Sequence, residues 1–329
     1  MYTRRDFAKI ALTSLPLVSG ARASDDKAPK FSSKVNGVQV GAQTYCYRAL
    51  RTPREAPLSL SGQEQLIDRI AASVAEDKID CAEFWIALVE PAWIPYDYGN
   101  GGKIPTDPQL VKNREALRQW RKSRPMELFK YARKKFNDAG VNIYSCMFNF
   151  NDTLDEDEIE CGFAMAKALG TEIITANPTV ASTKRLAPFA DRHKVKVGIH
   201  NHNFITDPNE IASTASLVSA TKLSPYVYVT LDIGHFVAAG EDPVKFLRDH
   251  HNRIINVHLK DRHKNDPRPH ADDNTVEWGA GDAPIKQVLQ LMKKEKYTFP
   301  ATIEYEYPGK GTAVEEVRKC YEYIKAALA

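Results

Sequence analysis

Beyond the first few dozen residues, the apolar positions of this chain follow two alternating rhythms. Short runs rich in β-branched residues are bounded by polar turns, and between them apolar residues recur three and four positions apart. The first rhythm predicts strands and the second amphipathic helices. Strands are predicted at 38–45, 79–85, 141–148, 172–176 and 195–200, with three more in the runs 229–235, 255–261 and 301–306. Helices are predicted at 61–75, 108–139, 156–169, 184–193, 208–220, 243–250, 283–294 and 313–327. Ser59 or Ser61 suits the start of the first helix, Pro125 breaks or kinks the second, and Gly140 and Gly170 end the second and third. Three later helices are expected to begin at or beside Asp-Pro or Asp-Ala-Pro, where proline fits the first turn.

Strict alternation of strand and helix implies a parallel sheet, and eight such units imply a closed (β/α)₈ TIM barrel. An open doubly wound sheet is the other architecture of this rhythm, but no G-x-G-x-x-G follows the first strand. A length of 329 residues with 43% apolar content suits one barrel domain over 35–329.

The start of the chain reads differently. Arg4-Arg5 with Phe7 close behind precedes an apolar stretch over 10–18 and then Ala21-Arg22-Ala23. A charged start, a short apolar core and an A-x-A site form a secretory signal, too short to span a membrane stably. The arginine pair resembles the twin-arginine class, which makes the export machinery a partner and the destination periplasmic or extracytoplasmic. Residues 1–23 are the expected signal peptide and 24–34 a flexible segment.

A net charge of +3, without a basic stripe interleaved with aromatics, implies no nucleic-acid partner. The five cysteines lack C-x-x-C spacing, so buried thiols are expected rather than a disulfide framework. Self-association into a homo-oligomer stays open.

Chemistry gathers in the second half. The runs V-G-I-H-N-H-N, V-T-L-D-I-G-H, I-N-V-H-L-K-D and A-T-I-E-Y-E place His200, Asp232, His258 and Glu304 at the ends of four successive strands. In a barrel those ends share one mouth, where function resides. Two imidazoles and two carboxylates suit one divalent ion, Mn²⁺ in first place, with Zn²⁺, Co²⁺ and Fe²⁺ as alternatives. A metal-free polar cluster filling the mouth is the bland alternative.

Strand alternation sends His202 to the side of His200, Lys260 to that of His258 and Glu306 to that of Glu304. His235 is expected in the turn after the sixth strand. These are candidates for proton transfer, for binding hydroxyls or for orienting ligands. Glu83, closing the second strand, is either a further acid or base or half of a buried salt bridge. Trp93, Tyr96, Tyr98 and Trp278 lie in loops, where aromatic faces pack on sugar C–H faces or simply anchor the loop. Asp261-Arg262-His263 and Glu277-Trp278-Gly279 frame a charged segment with the makings of a lid.

L-D-I-G-H, V-H-L-K-D-R, G-A-G-D and I-E-Y-E in this order resemble the xylose-isomerase-like TIM-barrel superfamily, also called sugar phosphate isomerase/epimerase or AP endonuclease family 2. The resemblance implies a divalent metal at the ends of strands five to eight, with Asp232, His258 and Glu304 as ligands. It places His235 and Arg262 near the substrate. Ketose epimerases of that superfamily carry Glu at strand five and move a proton with two carboxylates on opposite substrate faces. Here His200 stands instead, within I-H-N-H-N. That keeps the metal and removes half of the acid/base pair, leaving one base among Glu304, Glu306 and His202, with Lys260 beside them, to abstract a proton next to a polarised carbonyl.

The expected function is therefore enolisation of an unphosphorylated keto-sugar, as in an isomerase or epimerase. The resemblance to the exported branch bearing I-H-N-H offers β-elimination from a 3-keto-glycoside as the alternative. A non-catalytic sugar-binding barrel is a third reading. Phosphodiester cleavage would need more metals and a DNA-binding face, and near-neutral charge and export oppose it.

Overall fold

The computed structural model describes residues 31–52, 56–92, 107–266, 268 and 274–329. Eight parallel strands follow in sequence order: β1 (Val38–Gln43), β2 (Cys81–Trp85), β3 (Asn142–Met147), β4 (Ile173–Ala176), β5 (Lys196–His200), β6 (Val227–Asp232), β7 (Ile254–Leu259) and β8 (Ala301–Ile303). Each pairs with the next, and β1 pairs with β8 through Val40–Ala301, Gly41–Thr302 and Ala42–Ile303. The sheet is thus a closed barrel, as the alternation predicted. A further two-residue strand, Lys34–Val35, pairs antiparallel with the start of β1. Beside it Ser33 is fully buried and its hydroxyl donates to Val40 O at 2.7 Å. The end of the stretch expected to be flexible is therefore tied to the barrel.

Ten helices surround the described strands: α1 (Leu60–Glu76), α2 (Pro108–Lys122), α3 (Met126–Ala139), α4 (Glu156–Leu169), α5 (Val180–His193), α6 (Thr214–Thr221), α7 (Ile233–Ala238), α8 (Pro243–His250), α9 (Ile285–Glu295) and α10 (Ala313–Leu328). Pro125 separates α2 from α3, and Gly140 and Gly170 end α3 and α4 in the left-handed region. Two helix starts differ from expectation by more than two residues. α5 begins four residues early because Thr179 and Ser182 form a capping box. α6 begins at Thr214, capped by Ser213, whereas Asp207-Pro208 opens a turn closed by Glu210 N–H on Asp207 O at 3.1 Å. Among the described residues no helix is long and apolar enough to cross a membrane.

Alternation along the strands sorts the side chains. Val40, Ala42, Val197, Ile199, Leu231, Val257, Leu259 and Ile303 face outward and are buried with the apolar faces of the helices, including Ile67, Ile70, Val288, Leu289, Val317 and Ile324. Most of the inward set is small or polar: Gly41, Gln43, Glu83, Ser145, Thr175, Gly198, Thr230, Asn256 and Thr302, with Met147 beside Gln43 and Ile255 beside Gly198. A Cβ on Gly198 would meet Thr230 Oγ1 at 2.4 Å, so close packing inside the barrel requires glycine there. All five cysteines are buried and unpaired, matching the expected thiols.

Candidate metal centre

His200 and Asp232 end β5 and β6, His258 lies next to last in β7, and Glu304 directly follows β8. Parallel register sets Asp232 level with His258. One donor atom from each of the four lies within 4.8 Å of the others, and all four residues are buried. His200 Nε2 is 3.3 Å from Asp232 Oδ2 and 4.0 Å from Glu304 Oε2, and His258 Nδ1 is 3.1 Å from Glu304 Oε2.

Each ligand's other atoms are held by the fold. Asp232 Oδ1 accepts the His235 N–H at 2.8 Å, capping α7, so only Oδ2 faces the centre. His235 therefore sits in a helix rather than in the expected turn, since Asp232 starts one at the strand end. His258 Nε2 is 3.1 Å from the Glu83 carboxylate. A proton on Nε2 leaves the Nδ1 lone pair facing inward, the orientation a metal ligand needs.

What remains is a set of buried atoms that make no hydrogen bond, both ring nitrogens of His200, Asp232 Oδ2, His258 Nδ1 and Glu304 Oε2, of which only the two carboxylate oxygens have a cation, Lys260, in ion-pair contact. Their mutual contacts are close in distance but not aligned as hydrogen bonds. Such atoms are costly inside a protein unless something satisfies them. Two imidazole nitrogens and two carboxylate oxygens converging in this way fit a divalent first-row ion.

Charge at the centre is arranged to stay ionised. Burial opposes the Glu304 carboxylate, but Lys260 and His258 outweigh it and hold its pKa well below the usual range. Burial likewise opposes protonation of His258, yet Glu83 and Glu304 lift its pKa well above the ordinary imidazole value, so an ion binding at Nδ1 would displace a proton from that nitrogen. Lys260 Nζ lies 2.9 Å from Asp232 Oδ2, 3.1 Å from Glu304 Oε2 and 2.6 Å from Glu306 Oε2.

The residues around the quartet divide by placement. His202 stands beside it, with ring centroids 5.4 Å from His200 and 5.4 Å from His235, and with Glu210 Oε2 3.5 Å from its Nδ1. Arg262 is fully buried and donates to His235 Nδ1 at 2.9 Å and Asn203 Oδ1 at 3.2 Å. Glu83 lies one layer deeper than the mouth. Besides His258 it accepts from Gln43 at 2.7 Å, Ser145 at 3.2 Å and Asn256. Its carboxylate is spent on protein partners, which is the buried-pair alternative rather than a substrate contact.

For Trp278 the anchoring alternative holds, and its candidacy as a substrate contact does not. It is buried against Tyr323 of α10, ring centroids 5.8 Å apart and nearly perpendicular, and so anchors its loop instead of presenting a face to sugar. Trp93, Tyr96 and Tyr98 lie outside the described residues, as do 267 and 269–273 of the expected lid. The loop beyond that segment is tied down by Asp261, which accepts the N–H groups of Gly279, Gly281 and Ala283 at 2.7, 3.1 and 3.0 Å.

Several supporting residues had little or no signal. Asn201 exchanges two hydrogen bonds with the Asp232 backbone, both 3.0 Å, and locks β5 to β6. It and Asn203 belong to the I-H-N-H-N run, where they alternate with the two histidines. Gln43, Ser145 and Thr302 are polar residues in strands, and only barrel closure brings them under the centre.

Comparison with known proteins agrees with this geometry. The family described as xylose isomerase-like TIM barrel matches residues 165–326. The inosose dehydratase of Clostridium tetani is 28% identical over 159 residues, covering 44% of this chain and 52% of that protein. The matched stretch thus spans about half the length of these curated relatives. Among solved structures, the probable 3-DHS dehydratase of Bacillus anthracis is similar with a TM-score of 0.56 and 14% identity, over 88% of this chain and 97% of its own. The 3-keto-D-glucoside 4-epimerase of E. coli is similar with a TM-score of 0.56 and 12% identity, over 88% and 99%. At these identities the structural matches show the fold.

Proposed function

From the closed barrel and the likeness of residues 165–326 to the xylose isomerase-like TIM barrel family, we propose that the chain is a divalent-metal-dependent enzyme that enolises an unphosphorylated keto-sugar. One observation carries the reading: four buried donor atoms from the ends of β5 to β8 converge without hydrogen-bond partners. His200, Asp232, His258 and Glu304 would hold the ion, with Mn²⁺ favoured. When bound, such an ion supplies Lewis acidity that stabilises negative charge developing on a carbonyl oxygen.

The chain's own residues do the rest. His202, backed by Glu210, takes the acidic proton from the carbon beside the carbonyl. Glu306 and Lys260 form the second charged pair at the mouth, and His235 with Arg262 binds substrate oxygens. Glu83 fixes the ring of His258 from below.

The fate of the enolate decides the product. Epimerisation returns the proton on the opposite face and calls for a second base there. Elimination needs only a leaving group on the next carbon, whose C–O bond breaks as the alcohol departs with a proton. His200 occupies the strand-five position, and the matched curated relatives carry the name inosose dehydratase. Both favour elimination, with release of the aglycone from a 3-keto-glycoside as the specific form. Isomerisation is the second reading. The leader pattern over 1–23 supports delivery outside the cytoplasm by twin-arginine export, where sugars without phosphate would be the available substrates.

The test is incubation in D₂O with Mn²⁺, a 3-keto-glycoside and free ketoses. Aglycone release with formation of an enone supports elimination; ketose interconversion alone, with deuterium entering beside the carbonyl, supports isomerisation. Sugar binding without deuterium exchange, under Mn²⁺, Zn²⁺, Co²⁺ and Fe²⁺ alike, would leave a non-catalytic sugar-binding barrel.

A further inference from the structure

The ammonium of Lys260 stands among three buried carboxylates. Two of its contacts, Asp232 Oδ2 at 2.9 Å and Glu304 Oε2 at 3.1 Å, are the oxygens that face His200 and His258. The third and shortest, Glu306 Oε2 at 2.6 Å, belongs to a carboxylate outside the quartet. A side-chain cation therefore neutralises the charge that a divalent ion would seek.

We propose that Lys260 is a resident cation of the metal centre, which holds the carboxylates together before an ion binds and moves onto Glu306 when one arrives. The proposal rests on the metal reading of the quartet. Without any cation, three desolvated carboxylates would repel one another at the mouth. With a divalent ion about 2 Å from each oxygen, an ammonium still touching both would stand within about 4 Å of it, where repulsion is strong away from bulk water.

Two neighbours set the direction of retreat. Arg262 and Lys260 can both only donate, and a neutral His235 ring accepts at one nitrogen alone; the shorter contact, 2.9 Å from the Arg262 guanidinium to Nδ1, takes the lone pair and leaves the proton on Nε2. That Nε2 lies 3.2 Å from Lys260 Nζ, donor against donor, and pushes the ammonium away from α7. Glu306 attracts it from another direction, and the four-carbon stem allows the shift. Lysine thus competes with the ion for two oxygens, while Glu306 relieves the competition.

Mn²⁺ titration by calorimetry, with melting temperatures before and after Mn²⁺, tests this in wild type, Lys260→Met, Glu306→Gln and the double variant. Lys260→Met is expected to melt lower without Mn²⁺ and to bind it about tenfold more tightly. Glu306→Gln is expected to bind about tenfold more weakly, because the lysine has lost its refuge. In the Lys260→Met background the same Glu306→Gln change is expected to cost little, a non-additivity that marks coupled residues. Equal or weaker binding by Lys260→Met overturns the proposal. So does a Glu306→Gln penalty of equal size in both backgrounds, since Glu306 would then act on the ion directly. If Lys260→Met does not fold, unchanged affinity in Glu306→Gln overturns it alone. A wild type that binds none of Mn²⁺, Zn²⁺, Co²⁺ and Fe²⁺ overturns the quartet reading itself, a result distinct from the others.

Discussion

The carboxylate of Glu83 stands 3.1 Å from Nε2 of His258, a residue 175 positions later in the chain and five strands further round the barrel. The contact holds the proton of His258 on the side away from the quartet. It also brings a fourth acid under the mouth without exposing it, since Glu83 is 2% exposed.

Glu83→Gln keeps the size and removes the charge that orients the ring. Loss of such an outer partner weakens metal binding by about 10- to 100-fold. Competition against a chelator of known affinity measures the change, with the melting temperature as a check on folding. An unaltered affinity would mean that the ring is oriented by something else.

Asp77 follows α1, its side chain buried, and accepts the Tyr47 hydroxyl at 2.8 Å. Burial raises its pKa from 3.8 to about 7, and Tyr47 and Arg318 pull it back only in part. The folded protein thus holds this proton more tightly than the unfolded chain does. The stability Asp77 contributes is fully present below about pH 4 and is lost as pH rises through about 7. Asp77→Asn should flatten the melting temperature over that window and melt higher than wild type at pH 8. A parallel pH profile in the two proteins would refute this.

Gly281 touches the clamp that orders the mouth. A Cβ there would lie 2.3 Å from Asp261 Oδ1 and 2.8 Å from Arg262 O, and the backbone oxygen has little freedom to withdraw. Gly281→Ala should cost about 1–3 kcal/mol in urea unfolding, the usual range for overpacking. A cost below 0.5 kcal/mol, roughly that of a neutral surface change, would show that the loop yields.

Arg121 is 1% exposed, with its guanidinium on Glu90 at 2.8 and 3.0 Å and on Glu158 at 3.1 Å. Arg114 also binds Glu158, at 2.8 and 2.7 Å. Removing Arg121 therefore strands Glu90 more than Glu158. Arg121→Ala should cost about 3–5 kcal/mol, as for other broken buried pairs, and Glu90→Gln in the same chain should recover part of it. Failure of that rescue in denaturant unfolding would place the cost in lost packing against Phe148, whose ring centroid is 4.8 Å from the guanidinium carbon.

Most of the barrel was legible because each strand and helix carries its own local pattern. The limits of α4 and α8 were readable to the residue, since Asp155 and Asp242 cap them and Gly170 and the end of the apolar face close them. α6 was not, because Asp-Pro opens a turn as readily as a helix, and only Ser213 with Ser216 decides between them. The metal quartet was legible for a different reason. Parallel strands all end at one mouth, so ligands at successive strand ends become neighbours once the sheet closes. Trp278 was left between two roles because an aromatic residue in a loop looks the same whether it faces sugar or Tyr323.

By itself, then, the sequence determined the barrel and the four residues His200, Asp232, His258 and Glu304, because local periodicity and position along a strand suffice for both. Tertiary structure alone decided which atoms of those residues remain available, through Glu83 behind His258 and the α7 backbone on Asp232. It also decided that Lys260 lies among the carboxylates instead of merely beside them. Such contacts join residues on different strands at distances of a few ångströms, and no spacing along one strand encodes them.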